Sequence, residues 1–389
     1  MGIPSTAQVS DPVPFAAPDL EADDLAAVER VLKSGWLTTG EECFALEREL
    51  SEYLGGPEVV AVSSCTAGLE ILFAALALPP GSLVAIPTWT FVSSALTPAR
   101  LGLTPVLLDI DPDTLNVSTD SLKSAIDEGI DALVAVHFGG VPVAPAVYDL
   151  CAEANVPVVE DAAHALGASD HRGRLAGQGT LGAAYSFYAT KNLTCGEGGA
   201  IATGDAEVAA FARAYRLHGL SADAWARHRP DRHGDYDLVA AGIKANLPDI
   251  LAALARSQFS RFAAMQAKRR RLVGRYRSHL SGVDEVRVLP PERCQGSADH
   301  LMVVELAAGV ERAAVRRELA ERGIATSVHF QPLHRFEWFA EHARVAPGGT
   351  PNAERAADRV LSLPLSSSLT ESQVDRVCES LKAVLTSPG

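Results

Sequence analysis

Between about residues 58 and 204, short runs of β-branched and small apolar residues alternate with stretches of helical period. VVAVS (59–63) precedes a helical pattern starting near Thr66, and LVAIP (83–87) precedes another from about Phe91 to Leu101. PVLLDID (105–111), ALVAVHF (132–138) and VPVVED (156–161) follow, with YDLCAEAN (148–155) helical between the last two. AAYSFYA (183–189) and GAIATG (199–204) close the series. Strands separated by helices are joined by crossovers, which make neighbouring strands parallel and cover the sheet on both faces. The expected class is therefore α/β. In such sheets ligands gather at the carboxyl ends of the strands, and the unusual residues of this chain stand at those ends.

On either side of this core the pattern changes. A first helix is expected from about Glu21, after a Pro-containing extended arm. After Gly204 come the helical AEVAAFARAYRLHG, a polar loop (221–237) and a long helical stretch from about Leu247 to Leu280. The rest reads as a smaller α+β unit: HLMVVEL (300–306) and TSVHF (326–330) as strands, ERAAVRRELAERG (311–323) as a helix, and a last helix from Glu371. The division falls inside the long helix, giving a large domain over 1–255 and a small one over 256–389. A chain of 389 residues can bury two such cores.

Charge and composition exclude several function classes. A net charge of −14 opposes nucleic acid as the main partner. The one basic run, KRRRLVGRYR (268–277), lies in the long helical pattern and reads as a solvated or subunit-facing side. No apolar run approaches the ~18 residues of a membrane span. The N-terminal stretch has no basic segment followed by an apolar one, so no secretory signal is expected. Cys43, Cys65, Cys151, Cys195, Cys294 and Cys378 lie far apart, without zinc spacing, which fits a reducing cytoplasm and no metal.

Four loops carry the chemistry. VSSCTAGLE (62–70) joins a strand to a helix with small residues, so it is either an ordinary Ser/Thr cap or a helix N-terminus open to phosphate. PTWTF (87–91) sets two aromatics after a strand, as core or as a platform for a flat ligand. VVEDAAHALGA (158–168) ends an apolar strand on two carboxylates, which need a partner such as a bound cation. SFYATKNLTCGEGGA (186–200) places Lys191 between a strand end and glycines that let backbone crowd a ligand. A lysine there is either at the surface or desolvated, and desolvation favours the neutral amine of Schiff-base chemistry. Together these are the requirements of pyridoxal phosphate: an anion-binding turn, an aromatic plate, an Asp for the pyridinium nitrogen and a lysine. The GxxxxGK[ST] of a P-loop is absent.

In this order and spacing, SSCTAGL, PTWTF, VVEDAAHALG and SFYATKNLTCGEGG resemble the DegT/StrS family of pyridoxal-phosphate-dependent nucleotide-sugar aminotransferases. WLTTG (36–40), LHGLSADAW (217–225), GIKANLPDILAAL (242–254), HFQPLH (329–334) and LPLSSSLT (363–370) extend the resemblance over nearly the whole chain. It implies the aspartate-aminotransferase fold, type I, with a mostly parallel seven-stranded sheet between helices and a smaller C-terminal α+β domain.

By the same resemblance, Lys191 would hold the cofactor covalently and Asp161 would pair with its ring nitrogen. Phe91 would stack on the ring, with Trp89 as the second choice. Cys65, Thr66 and Ser186 would bind phosphate, and His164 would stand beside the phenolic oxygen, where the family often has Gln. A neighbouring subunit of a homodimer would complete the phosphate site from GIKAN, through Asn246 in preference to Lys244. Trp36, Thr38 and His329 would meet the sugar nucleotide. Cys65 stands where many members have Gly, and Ala245 replaces a more usual aromatic, which touches the partner contact. Because Lys191 is not His, the family's dehydratase branch is disfavoured. The implied reaction moves an amino group from glutamate to a nucleotide-linked ketosugar, at C-4 in preference to C-3, in deoxyaminosugar biosynthesis. A non-transaminating enzyme of the same fold, and a regulatory cofactor-binding protein, are the rival readings.

Overall fold

The computed structural model describes residues 12–221, 236–292 and 294–386. The start of the N-terminal arm, nearly all of the expected polar loop and the end of LHGLSADAW lie outside them. The central sheet contains β1 (Glu58–Val62), β2 (Leu83–Pro87), β3 (Thr104–Leu108), β4 (Ala132–Val136), β5 (Val158–Asp161), β6 (Gly182–Ser186) and β7 (Gly199–Thr203). A second sheet holds β8 (Val286–Leu289), β9 (Met302–Leu306) and β11 (Val360–Leu363), all antiparallel. The two-residue β10 (Arg344–Val345) returns to the first sheet as an eighth strand, parallel to β3.

The α/β class is borne out, with strand order β1-β7-β6-β5-β4-β2-β3. One strand departs from the parallel rule. β7 runs antiparallel to both β6 and β1. Between Ser186 and Gly199 the chain makes no helix, so it has no crossover and must turn back beside the strand it left. Each side of the sheet packs its own apolar layer, which includes Leu46, Leu50, Tyr185 and Phe187 on one and Leu69, Phe73, Val134 and Ile201 on the other. That is why these strands read as unbroken apolar runs.

Two expected elements differ. The long helix is broken at Arg261 into Asp249–Ser260 and Phe262–Leu280. Arg261 N–H closes on Gln258 O, three residues back, while its guanidinium reaches Asp24 and Glu21 at 2.8 and 2.9 Å. The position expected to divide the domains, residue 255, lies within the first of the two helices. TSVHF is not a strand. Ser327 pairs once with Ser362, and the chain then turns so that His329 O accepts from the indole N–H of Trp89 at 3.1 Å.

The adjacent carboxylates of β5 separate, because successive strand residues point to opposite faces. Glu160 is fully buried away from the strand-end cavity. It accepts from Arg174 at 3.0 Å, Gly177 N–H at 2.9 Å, Thr180 at 2.7 Å and Tyr148 at 2.9 Å, with His137 at 2.8 Å. The expectation of two carboxylates awaiting a bound cation is thus corrected to one. Burial pushes the Glu160 carboxyl up, but the His137 hydrogen bond and the His137 and Arg174 charges outweigh it and leave the pKa lowered. Its stabilisation is complete above the ordinary glutamate pKa and is lost as pH falls through the lowered folded value. Glu160→Ala, which strands Arg174, is expected to cost about 3–5 kcal/mol in urea unfolding at neutral pH, with the deficit shrinking in acid. An unchanged midpoint would show that the network carries no stability.

Candidate active site

A cavity of about 490 Å³ opens at the carboxyl ends of the parallel strands, facing the second sheet's domain. Cys65, Thr66, Phe91, Asp161, His164, Ser186, Lys191 and His329 all line it. The reversal of β7 gathers several of them. Gly199 pairs with Val62 on one side and Ser186 on the other, so the end of β1, the end of β6 and the glycine loop meet.

At that meeting point the helix Cys65–Leu76 begins. Its first N–H groups have no intrahelical partner. Ser64 caps the helix by accepting from Ala67 N–H at 3.1 Å, leaving the N–H groups of Cys65 and Thr66 at the cavity wall. Gly199 makes the cradle possible, since a Cβ there would lie 2.7 Å from Cys65 N and 2.6 Å from Tyr185 O. Ser64 is therefore an N-cap, and the two residues after it leave free N–H groups beside Ser186, the geometry that the phosphate reading requires. The Cys65 thiol points elsewhere, 3.2 Å from Ala184 O and 3.7 Å from Asp161 Oδ1.

Asp161 is buried and lines the same cavity. Ser94 donates to its Oδ2 at 2.6 Å, Ala163 N–H donates to its Oδ1 at 3.1 Å, and Thr90 shares a 2.7 Å hydrogen bond with Ser94. These donors hold the carboxylate in one orientation, ready for a cation. Ser94 and Thr90 went unread in the sequence; the hydroxyls within PTWTF and just after it were the available signal.

Lys191 follows the turn in which its N–H bonds Tyr188 O at 2.9 Å. Burial pushes its amine down to about 8, against the opposing pull of Cys65 and Asp161. Among the described residues its Nζ has no ion-pair or hydrogen-bond partner. The surface-lysine reading fails. Phe91 stands at the cavity mouth, 54% exposed, whereas Trp89 is fully buried in the core against Phe138. Trp89 is therefore not an available platform.

Three histidines meet at the cavity, each with its pKa lowered chiefly by burial, and His329 is brought down to about 4. His164 Nδ1 accepts from Gly139 N–H at 3.2 Å, so the neutral ring carries its proton on Nε2. His329 stacks on Phe15 of the N-terminal arm at 5.3 Å and shares a 3.0 Å hydrogen bond with Ser362. His300 and Phe330 also line the wall. Neither was singled out in the sequence, where each stood inside a run read as a strand.

Trp36, Thr38, Lys244 and Asn246 do not line this cavity. Asn246 donates to Thr39 Oγ1 at 2.7 Å and accepts from Lys244, while Trp36 donates to Thr39 O at 3.1 Å. Trp36, Lys244 and Asn246 form a cluster of their own around Thr39, next to the end of β1, where Asn246 bridges Val62.

Fold and cavity together are those of a pyridoxal-phosphate enzyme of fold type I, with free helix-start N–H groups, an oriented carboxylate and a desolvated lysine on one cavity. The DegT/DnrJ/EryC1/StrS aminotransferase family model matches residues 18–382. The chain belongs to that family, whose members depend on pyridoxal phosphate, and is an aminotransferase. It is similar to the aminotransferase TlmJ from Streptoalloteichus hindustanus, at 34% identity and TM-score 0.87, over 96% of this chain and 99% of that one. The putative sugar aminotransferase Spr1654 from Streptococcus pneumoniae, solved in a PMP-form, matches at 29% and 0.88, over 96% and 98%. DesI, solved in the presence of its TDP-sugar product, matches at 30% and 0.84, over 96% and 93%.

The cradle gives a direct test. Gly199→Ala pushes the phosphate turn away, so affinity for pyridoxal phosphate, read from quenching of intrinsic fluorescence, is expected to fall about tenfold or more. Far-ultraviolet circular dichroism is expected to stay near wild type. Unchanged affinity would place the phosphate elsewhere.

Proposed function

We propose that this aminotransferase moves an amino group from glutamate to the C-4 ketone of a 4-keto-6-deoxy nucleotide-linked sugar. The observation that carries the catalytic part is the lone desolvated amine of Lys191 sharing one cavity with the oriented carboxylate of Asp161. Nucleotide-sugar specificity is supported by DesI, which was solved with a TDP-sugar product. The preference for C-4 rests on LHGLSADAW, GIKANLPDI and HFQPLH.

The bound cofactor supplies an electron sink for the carbanion formed at the donor's α-carbon. The protein does the rest. Lys191 holds the cofactor and, once freed, is a base; with a pKa near 8 it is substantially neutral in mildly alkaline solution. Asp161 keeps the ring nitrogen protonated. His164 offers Nε2–H to the phenolic oxygen, the part a Gln amide would play. Phe91 covers the ring, the turn at Cys65, Thr66 and Ser186 takes the phosphate, and His329 receives the sugar nucleotide. Asn246, prepositioned on Thr39, reaches the phosphate of a neighbouring subunit, and Trp36 and Thr38 travel with it to that subunit's substrate.

The substrate reading is tested by incubating the protein and glutamate with a 4-keto-6-deoxy nucleotide sugar and a 3-keto isomer, and locating the new amine by NMR. Amination at C-4 is expected, and Lys191→Ala is expected to abolish both turnover and the borohydride-sensitive visible band. Amination at C-3 alone would move the site on the sugar, and no amination of any ketosugar would remove the substrate class.

Shared sites predict a second result. Inactive Lys191→Ala protein mixed with inactive Asn246→Ala protein should regain part of the wild-type activity through hybrid dimers with one intact site. An active monomer in sedimentation would refute the sharing.

A further inference from the structure

His300 has no part in the roles assigned above. It lies two residues before β9, is only 5% exposed, and lines the catalytic cavity. Its surroundings fix its chemistry. Asn192, the residue after Lys191, donates through Nδ2 to Ala298 O at 2.7 Å and to Gln266 Oε1 at 3.0 Å. With both amide hydrogens committed, Asn192 Oδ1 can only accept, and the atom facing it at 2.9 Å is His300 Nδ1. The proton of a neutral His300 is therefore on Nδ1, and Nε2 is bare. Gln266 donates in turn to Ala298 O at 3.0 Å, so the amide orientations agree around the circuit.

The other face of the His300 ring lies against His164, with centroids 4.2 Å apart and planes inclined by 35°. Backbone closes the loop. Gly139 N–H donates to His164, and Gly139 O accepts from His300 N–H at 3.1 Å. Gly140 has φ +90°, and a Cβ there would stand 2.9 Å from His164 O and 3.2 Å from His300 N. The two domains therefore meet through a glycine pair that permits the two rings to touch.

We infer that His300 is a positioning residue: through Asn192 it anchors the loop that carries Lys191, and through its ring it orients the His164 imidazole, whose tautomer the Gly139 N–H sets. It couples the placement of the second domain to both groups. This rests on the reading of Lys191 as the cofactor lysine. The ionisable groups that act on Lys191 or on His300 are Cys65, Asp161, His164, His329 and Arg269. None of them makes the bond to Asn192, so changes at His300 report on that bond and on the ring contact.

The experiment compares two variants of the holoenzyme. His300→Phe keeps a ring beside His164 and loses the donor to Asn192. His300→Gln keeps an N–H donor and loses the ring. The readouts are the pH midpoint of the visible cofactor band and the separate values of kcat and KM for the sugar. His300→Phe is expected to shift the midpoint by about one pH unit and lower kcat about tenfold, with KM for the sugar little changed; His300→Gln is expected to restore the midpoint. A wild-type midpoint and kcat in His300→Phe would overturn the inference. If that variant does not fold, ¹⁵N NMR of the wild-type imidazoles decides: protonated Nδ1 with bare Nε2 on His300 supports it, and the opposite tautomer or an imidazolium overturns it. A wild-type protein with no visible band after incubation with pyridoxal phosphate would instead sink the reading of Lys191 itself.

Discussion

Strand β7 runs against both its neighbours, and the rest of the site depends on that reversal. A parallel β7 would need a crossover helix after β6, and the loop that carries Lys191 would be spent on reaching the far end of the sheet. Because the chain turns back at once, Lys191 stays at the carboxyl edge, where β1, β4 and β5 also deliver their last residues. The turn costs close backbone approach. Gly199 lies where any Cβ would strike Cys65 N and Tyr185 O. The glycine-rich loop that makes the lysine look unusual in sequence is thus the same device that lets the phosphate turn and the lysine share one cavity.

Charge is managed in the cavity by exclusion. The chain carries 48 acidic against 34 basic residues, yet among the described lining residues the cavity has one buried carboxylate, Asp161, and one amine that burial moves toward neutrality. Glu160, adjacent in sequence to Asp161, is removed to the opposite face and neutralised by Arg174. The three imidazoles are kept uncharged by burial, with Lys191 adding to the effect. An additional fixed cation there would compete with a ring cation for Asp161. The buried part of the wall is thus left to Asp161, the cavity's other carboxylate, Glu197, being exposed.

Much of this was legible in sequence, because strand ends, small-residue turns and a lysine before glycines have local signatures. The mostly parallel sheet, the helix starting at the SSCTAGL turn, and the meeting of Lys191 and Asp161 at one cavity follow from such signals, while His164 and Ser186 came only with the family resemblance. What failed to show was set by contacts distant along the chain. Ser94 is 67 residues from the Asp161 it orients, and His300 is 108 residues from Asn192. The kink at Arg261 comes from carboxylates of the first helix and the residues before it, which no window on the long helix contains. TSVHF has a strand's composition, but the His329 carbonyl is claimed by Trp89, and tertiary packing overrode propensity.

The second domain is fastened to the first at both margins of the cavity. On one side Leu333 N–H donates to Thr88 O at 2.7 Å, and His334 shares a 2.7 Å hydrogen bond with the Thr88 hydroxyl. On the other, Leu365 N–H donates to Phe15 O at 3.1 Å, so the N-terminal arm crosses the cavity rim and lays Phe15 on His329. Between these margins lies the Gly139–Gly140 contact with His164 and His300. The cavity, with Phe91 exposed on its lining, has walls drawn from both domains and the arm. These contacts are hydrogen bonds and ring contacts to side chains at the cavity, so they fix orientation as well as spacing. In a reaction that must hold a proton-transfer base to within a fraction of an ångström, orientation is the more sensitive quantity.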